Sequence, residues 1–360
     1  MFKREFTKPD GRKLWLYSER AISENIVATN PTHEPIEGKP HLRWHPLRGE
    51  WVAFASHRQN RTFLPPKDYS PLAVTKSADF PTEMPAGDYD VAVFENLFPS
   101  LDLKADSAPD LFVPTRPANG SCEVIVFTQD PDSSLAQLPH SRVRTVLEVL
   151  GERTKELARN ESIHYVLPFE NRGVEVGVTL HHPHGQIYSY PFIPPLPERQ
   201  LQFMKAHFDK HKRSLLADLV VDEMRAKQRL ITTTDSAVAF IPAFARYPYE
   251  TYIVPKRPVA FIHELTPAEL SDLARVLKTV LMKFDALWTR PFPYLMVLYQ
   301  APTDGKAHDY SHLHFQIYPP YRTKDRLKFL AGTELGAGMY VNDSLPEEKA
   351  KELRAVEVHA

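Results

Sequence analysis

The sequence predicts an α+β protein made of two copies of one unit, in the order strand, helix, strand, strand. The first observation behind this is a repeat: His182-x-His184-x-Gln186-Ile187-Tyr188 recurs as His312-x-His314-x-Gln316-Ile317-Tyr318, displaced by 130 residues. The second is that each copy follows a strand, a helix with an apolar stripe and another strand. The third is composition: 33 prolines in 360 residues favour ordered loops over long uninterrupted helices.

Residues 1–41 read as an N-terminal arm with at most short strands, broken at Thr29-Asn30-Pro31 and Gly38-Lys39-Pro40. The first half is expected over residues 42–196. It opens with a turn feeding a strand across Leu42–Phe54, followed by Ser56-His57-Arg58-Gln59-Asn60-Arg61. Residues 63–117 have loop chemistry, interrupted by the strand-like Tyr89–Phe94 and then Asn96. Glu123–Phe127 is a strand, and Val143, Val146, Leu147, Leu150 and Leu157 mark a helix. The strand His164–Phe169 passes through Asn171-Arg172-Gly173 to the first histidine strand, a short connection that suits an antiparallel hairpin.

The second half, residues 197–360, begins with one helix across Glu198–Leu230 and the strand Thr251–Val254. Thr266-Pro267-Ala268-Glu269 carries a capping threonine, a proline at the first helical position and a glutamate at the third. The stripe Leu270, Leu273, Leu277, Leu281, Phe284 follows, then the strand Tyr294–Tyr299 and the second histidine strand. A Gly-rich loop carries Lys328, Phe329 and Glu334, and Pro346–Arg354 is a terminal surface helix.

With 42% apolar residues and a formal charge of −1, the chain is neither disordered, collagenous nor nucleic-acid-binding in composition. Cys122 is its one cysteine, which excludes an intrachain disulfide and a Cys-x-x-Cys metal knuckle. The opening Met1-Phe2-Lys3-Arg4-Glu5 lacks the apolar core of a leader peptide, and no run approaches the ~18 apolar residues of a membrane span. A soluble, cytoplasmic protein with no nucleic-acid or membrane partner is the expectation.

The chemistry concentrates in His181-His182-Pro183-His184-Gly185-Gln186-Ile187-Tyr188. Residues two apart on a strand share a face, so His182, His184, Gln186 and Tyr188 should converge. Imidazole is neutral and nucleophilic at physiological pH, and can attack phosphorus without first losing a proton. Gly185, lacking a Cβ, is expected to let a ligand approach the backbone, whereas Phe315 in the second copy closes that space. His184 is therefore the expected nucleophile and His314 a structural residue. Arg58 and Arg61 suit a phosphate, although alone such a pair is more often solvated surface. Asn96 alone reads as a turn former, and the Lys328–Glu334 loop, which has the ion, ring and carboxylate of a sugar site, reads equally as a solvated loop.

His-Pro-His-Gly-Gln-Ile-Tyr resembles the active-site signature of the galactose-1-phosphate uridylyltransferases, a branch of the histidine-triad superfamily, and the resemblance covers roughly residues 42–355. It implies two histidine-triad-like halves in a continuous, largely antiparallel sheet flanked by helices, the second half being degenerate. It also implies a nucleotidyltransferase in which His184 takes a uridylyl group from UDP-glucose and passes it to a hexose 1-phosphate, with ping-pong kinetics. His182 would support the nucleophile and Gln186 would bond the phosphoryl oxygens. Arg58 and Arg61 would hold the diphosphate, and Asn96, Asn171 and Thr179 other parts of the substrate. Lys328, Phe329 and Glu334 would bind the hexose from the other subunit of a homodimer, so that active sites are shared across the interface. The substrates implied are a nucleotide sugar and a sugar 1-phosphate.

The family's metal sites are not expected here. Its zinc site takes two thiolates of a Cys-Pro-Leu-Cys-like element, a histidine, and the first histidine of His-Pro-His; this chain offers Ser70-Pro71-Leu72-Ala73, Pro131 and His182. Its iron site aligns with Gln200, Tyr299, His314 and Gln316, leaving one ligand of four. No metal and no cofactor is the expectation, although a new cage from His45, His57, His181 or His308 stays open. The alternative functions are a nucleoside diphosphate-sugar phosphorylase of the ADP-glucose type, a non-catalytic nucleotide-sugar binder, and a mononuclear metal protein using His182 and His184.

Overall fold

A computed structural model describes residues 1–32, 38–60, 64–65 and 70–359. In chain order the strands of the first half are β1 (Phe2–Thr7), β2 (Lys13–Ser18), β3 (His41–His45), β4 (Glu50–Phe54), β5 (Val91–Glu95), β6 (Thr115–Pro117), β7 (Ser121–Val126), β8 (Tyr165–Arg172) and β9 (His184–Tyr190). The second half adds β10 (Leu230–Thr233), β11 (Ala237–Phe240), β12 (Thr251–Pro255), β13 (Tyr294–Tyr299), β14 (His314–Tyr318), β15 (Tyr321–Thr323) and β16 (Arg326–Leu327). The helices are α1 (His140–Leu157), α2 (Pro195–His211), α3 (Leu215–Ala226), α4 (Pro267–Leu287) and α5 (Pro346–Ala355).

One eleven-stranded sheet in the order β1-β2-β5-β7-β9-β8-β13-β14-β12-β11-β10 runs through both halves, and every pairing in it is antiparallel. The halves meet at β8 and β13, where Glu170 lies opposite Met296. Outward from that seam, β9, β7 and β5 correspond to β14, β12 and β11, so the duplication read in sequence is also a symmetry of the sheet. Helices α1 and α4 bury their apolar stripes on one face and pack against each other, forming one core with Ile125, Ile187, Leu298 and Phe315. Thr266 caps α4 as expected: its hydroxyl accepts from the Glu269 amide, and the Glu269 carboxylate accepts from the Thr266 amide.

Three expectations change. Residues 2–18 form a hairpin of two six-residue strands at the edge of the main sheet, paired through β2 to β5. The region Leu42–Phe54 is a complete hairpin, β3–β4, which joins β6 in a separate three-stranded sheet. The single helix expected across Glu198–Leu230 is two helices and the start of a strand. Its break is local: Lys212 adopts a left-handed φ of 58°, and the Ser214 hydroxyl accepts from the Ala217 amide to start α3.

Candidate active site

Strand β9 lies between β7 and β8, with side chains alternating between the two faces of the sheet. Gly185, Ile187 and Ser189 are buried toward the helices, while His184, Gln186 and Tyr188 point into a cleft of about 600 Å³ on the opposite face. Register builds the floor of this cleft: Gln186 sits between Val124 and Phe169, and Val124 lies opposite Phe94. Phe94 is thus two strands from Gln186, about 10 Å at ordinary strand spacing.

The His184 ring is oriented by its own backbone. Its Nδ1–H donates to the His182 carbonyl at 2.7 Å, which leaves the Nε2 lone pair for the cleft. Burial pushes the imidazole below its ordinary range, so the neutral nucleophilic form persists at neutral pH. Arg58 Nη1 donates to the Phe98 carbonyl at 2.6 Å and to the Tyr188 hydroxyl at 3.5 Å, placing the guanidinium at the cleft wall. Asn96 is a turn former as well as a lining residue, because its Oδ1 accepts from the Phe98 amide at 2.8 Å.

His184, Gln186, Arg58, Asn96, Asn171 and Thr179 therefore line one cleft. The other site candidates do not join them. His182 is buried just before β9 and borders a second cleft with Pro131 and Asp132; its Nε2–H donates to the Thr128 carbonyl at 2.7 Å. His184 borders that second cleft too, but His182 does not line the cleft that holds Gln186. Lys328 and Glu334 are buried in their own loop, 3.8 Å apart, with Phe329 74% exposed beside them. Arg61 lies outside the described residues.

The role expected of Gly185 is also corrected. A Cβ there would stand 2.9 Å from the Phe169 carbonyl oxygen and 3.0 Å from the Phe127 ring, on the helix side. The glycine permits close packing behind the His184 strand rather than ligand approach in front of it. Phe94, Val124, Phe169 and Leu72, which also line the cleft, were not singled out by sequence reading. Their signal is strand alternation, which selects a face only once the register to Gln186 is known.

A zinc ion does not fit the residues at the family's zinc position. Ser70 and Ala73 supply no thiolate, and Pro131 supplies no donor. His182 Nδ1 is buried without a hydrogen-bond partner, but one imidazole does not make a tetrahedral cage. Among the described residues no group of three His, Cys, Asp or Glu side chains could hold a metal. At the iron position, His314 is sandwiched between Tyr252 and Tyr299, and its Nε2 accepts from Gln316 at 2.9 Å.

Fold and cleft together define a duplicated histidine-triad-like protein with one open histidine strand and one closed. Residues 30–194 match the profile of the galactose-1-phosphate uridyl transferase N-terminal domain, and residues 200–360 that of the C-terminal domain. A galactose-1-phosphate uridylyltransferase of Thermotoga maritima is 35% identical over 88% of this chain and 98% of that protein. One of Streptomyces lividans is 34% identical over 97% of both chains. A solved structure described as a uridylyltransferase superposes with a TM-score of 0.77 at 32% identity, covering 88% of this chain and 97% of that one. The chain belongs to the galactose-1-phosphate uridyl transferase family.

Proposed function

We propose that the protein is a UDP-glucose:hexose-1-phosphate uridylyltransferase, with galactose 1-phosphate as acceptor, acting by double displacement through a uridylyl-histidine. The observation that carries this is the free Nε2 of His184, facing the cleft beside Gln186 in a chain of this family. In the first step Nε2 bonds to the α-phosphorus of UDP-glucose and the bond to the β-phosphate oxygen breaks, releasing glucose 1-phosphate. The imidazolium keeps Nδ1–H on the His182 carbonyl, which stabilises the added positive charge. In the second step a phosphate oxygen of galactose 1-phosphate attacks the same phosphorus, the P–N bond breaks, and UDP-galactose leaves with His184 neutral again.

The protein's part is positioning and charge stabilisation. Arg58 and Gln186 face the phosphoryl oxygens, a role the family motif alone extends to Arg61; Asn96, Asn171 and Thr179 hold the rest of the nucleotide sugar. In the same reading Lys328, Phe329 and Glu334 serve a partner subunit's cleft in a homodimer, which accords with the exposure of Phe329, Leu335 and Met339 around that loop. Residues 42–196 then form the half with the nucleophile, and 197–360 the half that lends the hexose loop. No helix among the described residues is long and apolar enough to cross a membrane, and the reading includes a cytoplasmic location.

Incubation with UDP-glucose alone should leave a uridylyl group on His184, labile in acid and stable in base. A panel of UDP-, ADP- and GDP-glucose, each with galactose 1-phosphate or inorganic phosphate, should select UDP-glucose with the sugar phosphate. Label on another residue, or phosphate as the better acceptor, would replace this reading with a different nucleophile or a phosphorylase.

A further inference from the structure

We propose that the N-terminal hairpin β1–β2 is a working part of the active site: Lys8, in its turn, is a positioning residue that fixes the cleft wall of Glu83 and Phe94, which lies two strands from Gln186, away from the reacting phosphorus, and is assigned here to the nucleoside. The proposal rests on the functional reading above, which puts the nucleotide in that cleft. Residues 1–29 precede the stretch matched by the family profile, so nothing in the family match assigns the hairpin a role.

Lys8 is 2% exposed, and its ammonium ties together three segments. It donates to the Thr29 carbonyl at 2.7 Å and to the Glu83 carbonyl at 2.8 Å, lies 2.7 Å from Glu83 Oε2, and sits 5.0 Å above the centre of the Phe94 ring. Two of these partners, Glu83 and Phe94, line the cleft. Arg12, across the same turn, grips both Glu83 oxygens at 3.0 and 2.9 Å and donates to the Glu95 carbonyl at 2.7 Å. Leu14 and Leu16 of β2 then pack with Leu72, Met84 and Phe94 beneath the same wall.

The wall needs such a tether because it has little regular structure of its own. Residues 70–85 contain one isolated bridge, Val74 with Met84, and a few turn bonds such as Glu83 N–H to the Pro71 carbonyl at 2.9 Å. This is also the segment where the zinc thiolates of the family would stand, and where Ser70 and Ala73 cannot ligate. A buried ammonium is tolerated only with its countercharge and hydrogen bonds in place, so the ion pair admits one arrangement of Glu83 and excludes looser ones. An electrostatic clamp from the hairpin thus does here what a metal cannot do with these residues.

The test compares full-length wild type with Lys8→Met, which keeps the side chain's length and removes its charge. Calorimetric titration with uridine and, separately, with inorganic pyrophosphate reads the two ends of the nucleotide site. Uridine binding and the KM for UDP-glucose should weaken about tenfold, while pyrophosphate binding and kcat stay within twofold. Hydrogen exchange should accelerate over residues 70–85 and stay unchanged in α1. Glu83→Gln, read by the same uridine and pyrophosphate titrations, serves if Lys8→Met does not fold. Uridine affinity within twofold of wild type, or equal weakening of both ligands, overturns the proposal. Wild type that binds no UDP-glucose at all overturns the functional reading instead, and is seen before any variant is made.

Discussion

The two histidine strands share a backbone relay and differ in what lies over the second imidazole. In β9 the His182 carbonyl accepts from His184 Nδ1; in β14 the His312 carbonyl accepts from His314 Nδ1 at 2.8 Å. The leading histidines match as well, His182 donating to the Thr128 carbonyl and His312 to that of Pro255. Beyond this point the copies part. Gln316 spends its amide on His314 Nε2, and its oxygen accepts from the Tyr318 hydroxyl, so the second face satisfies itself. Tyr188 instead meets Arg58, and Gln186 lines an open cleft. Each glutamine has a valine on one side and an aromatic on the other, Val124 and Phe169 about Gln186 and Val297 and Tyr252 about Gln316, but only the second histidine is stacked between two tyrosines, Tyr252 and Tyr299. Openness of a histidine strand is therefore set by its neighbours in the sheet, not by the Gly185 and Phe315 that differ within the motif.

The sharpest way to break this comparison is to remove each histidine in turn. His184→Ala should lower uridylyl transfer by roughly 10³-fold or more with the fold retained. His314→Ala should leave transfer within a few-fold but cost about 3 kcal/mol of stability, because it empties a space between two stacked tyrosines. Transfer kinetics and denaturant unfolding on both variants check this; comparable losses of transfer would mean the halves are not functionally distinct.

Gly185→Ala tests whether that glycine serves packing. Its Cβ would meet the Phe169 carbonyl oxygen, a backbone atom with little room to move, at a cost on the order of 2–3 kcal/mol. Unfolding midpoints should fall accordingly. If stability were unchanged and only ligand binding suffered, the glycine would belong to the front of the strand after all.

The smallest effect lies at the seam between the halves. Burial raises the Glu170 carboxyl from 4.5 to about 7, opposed in part by Arg172, and the Tyr294 hydroxyl donates to it at 3.0 Å. A carboxyl whose folded value is raised contributes stability that is full below its unfolded value and lost as pH rises through the folded one, here between roughly pH 4.5 and 7. Glu170→Gln keeps an acceptor for Tyr294 without the charge. It should be more stable than wild type at pH 8, by on the order of 2 kcal/mol, and no more stable at pH 5. Thermal unfolding at the two pH values reads the difference.

Local chemistry determined much of this protein from the sequence alone. The period of two in His-x-His-x-Gln put His184 and Gln186 on one face, its recurrence 130 residues on announced two half-units, and Thr266 to Glu269 marked the start of α4, because each signal is written in a run of a few neighbouring residues. What only the tertiary structure decided depends on register between distant strands. It placed His314 but not His184 between two tyrosines, turned Gly185 toward the helices, left His182 out of the cleft that holds Gln186, and set the hairpin of residues 2–18 against that cleft through Lys8 and Glu83. A one-residue slip in any of those pairings would send every side chain of the strand to the other face, and no local pattern in the chain encodes the partner that prevents it.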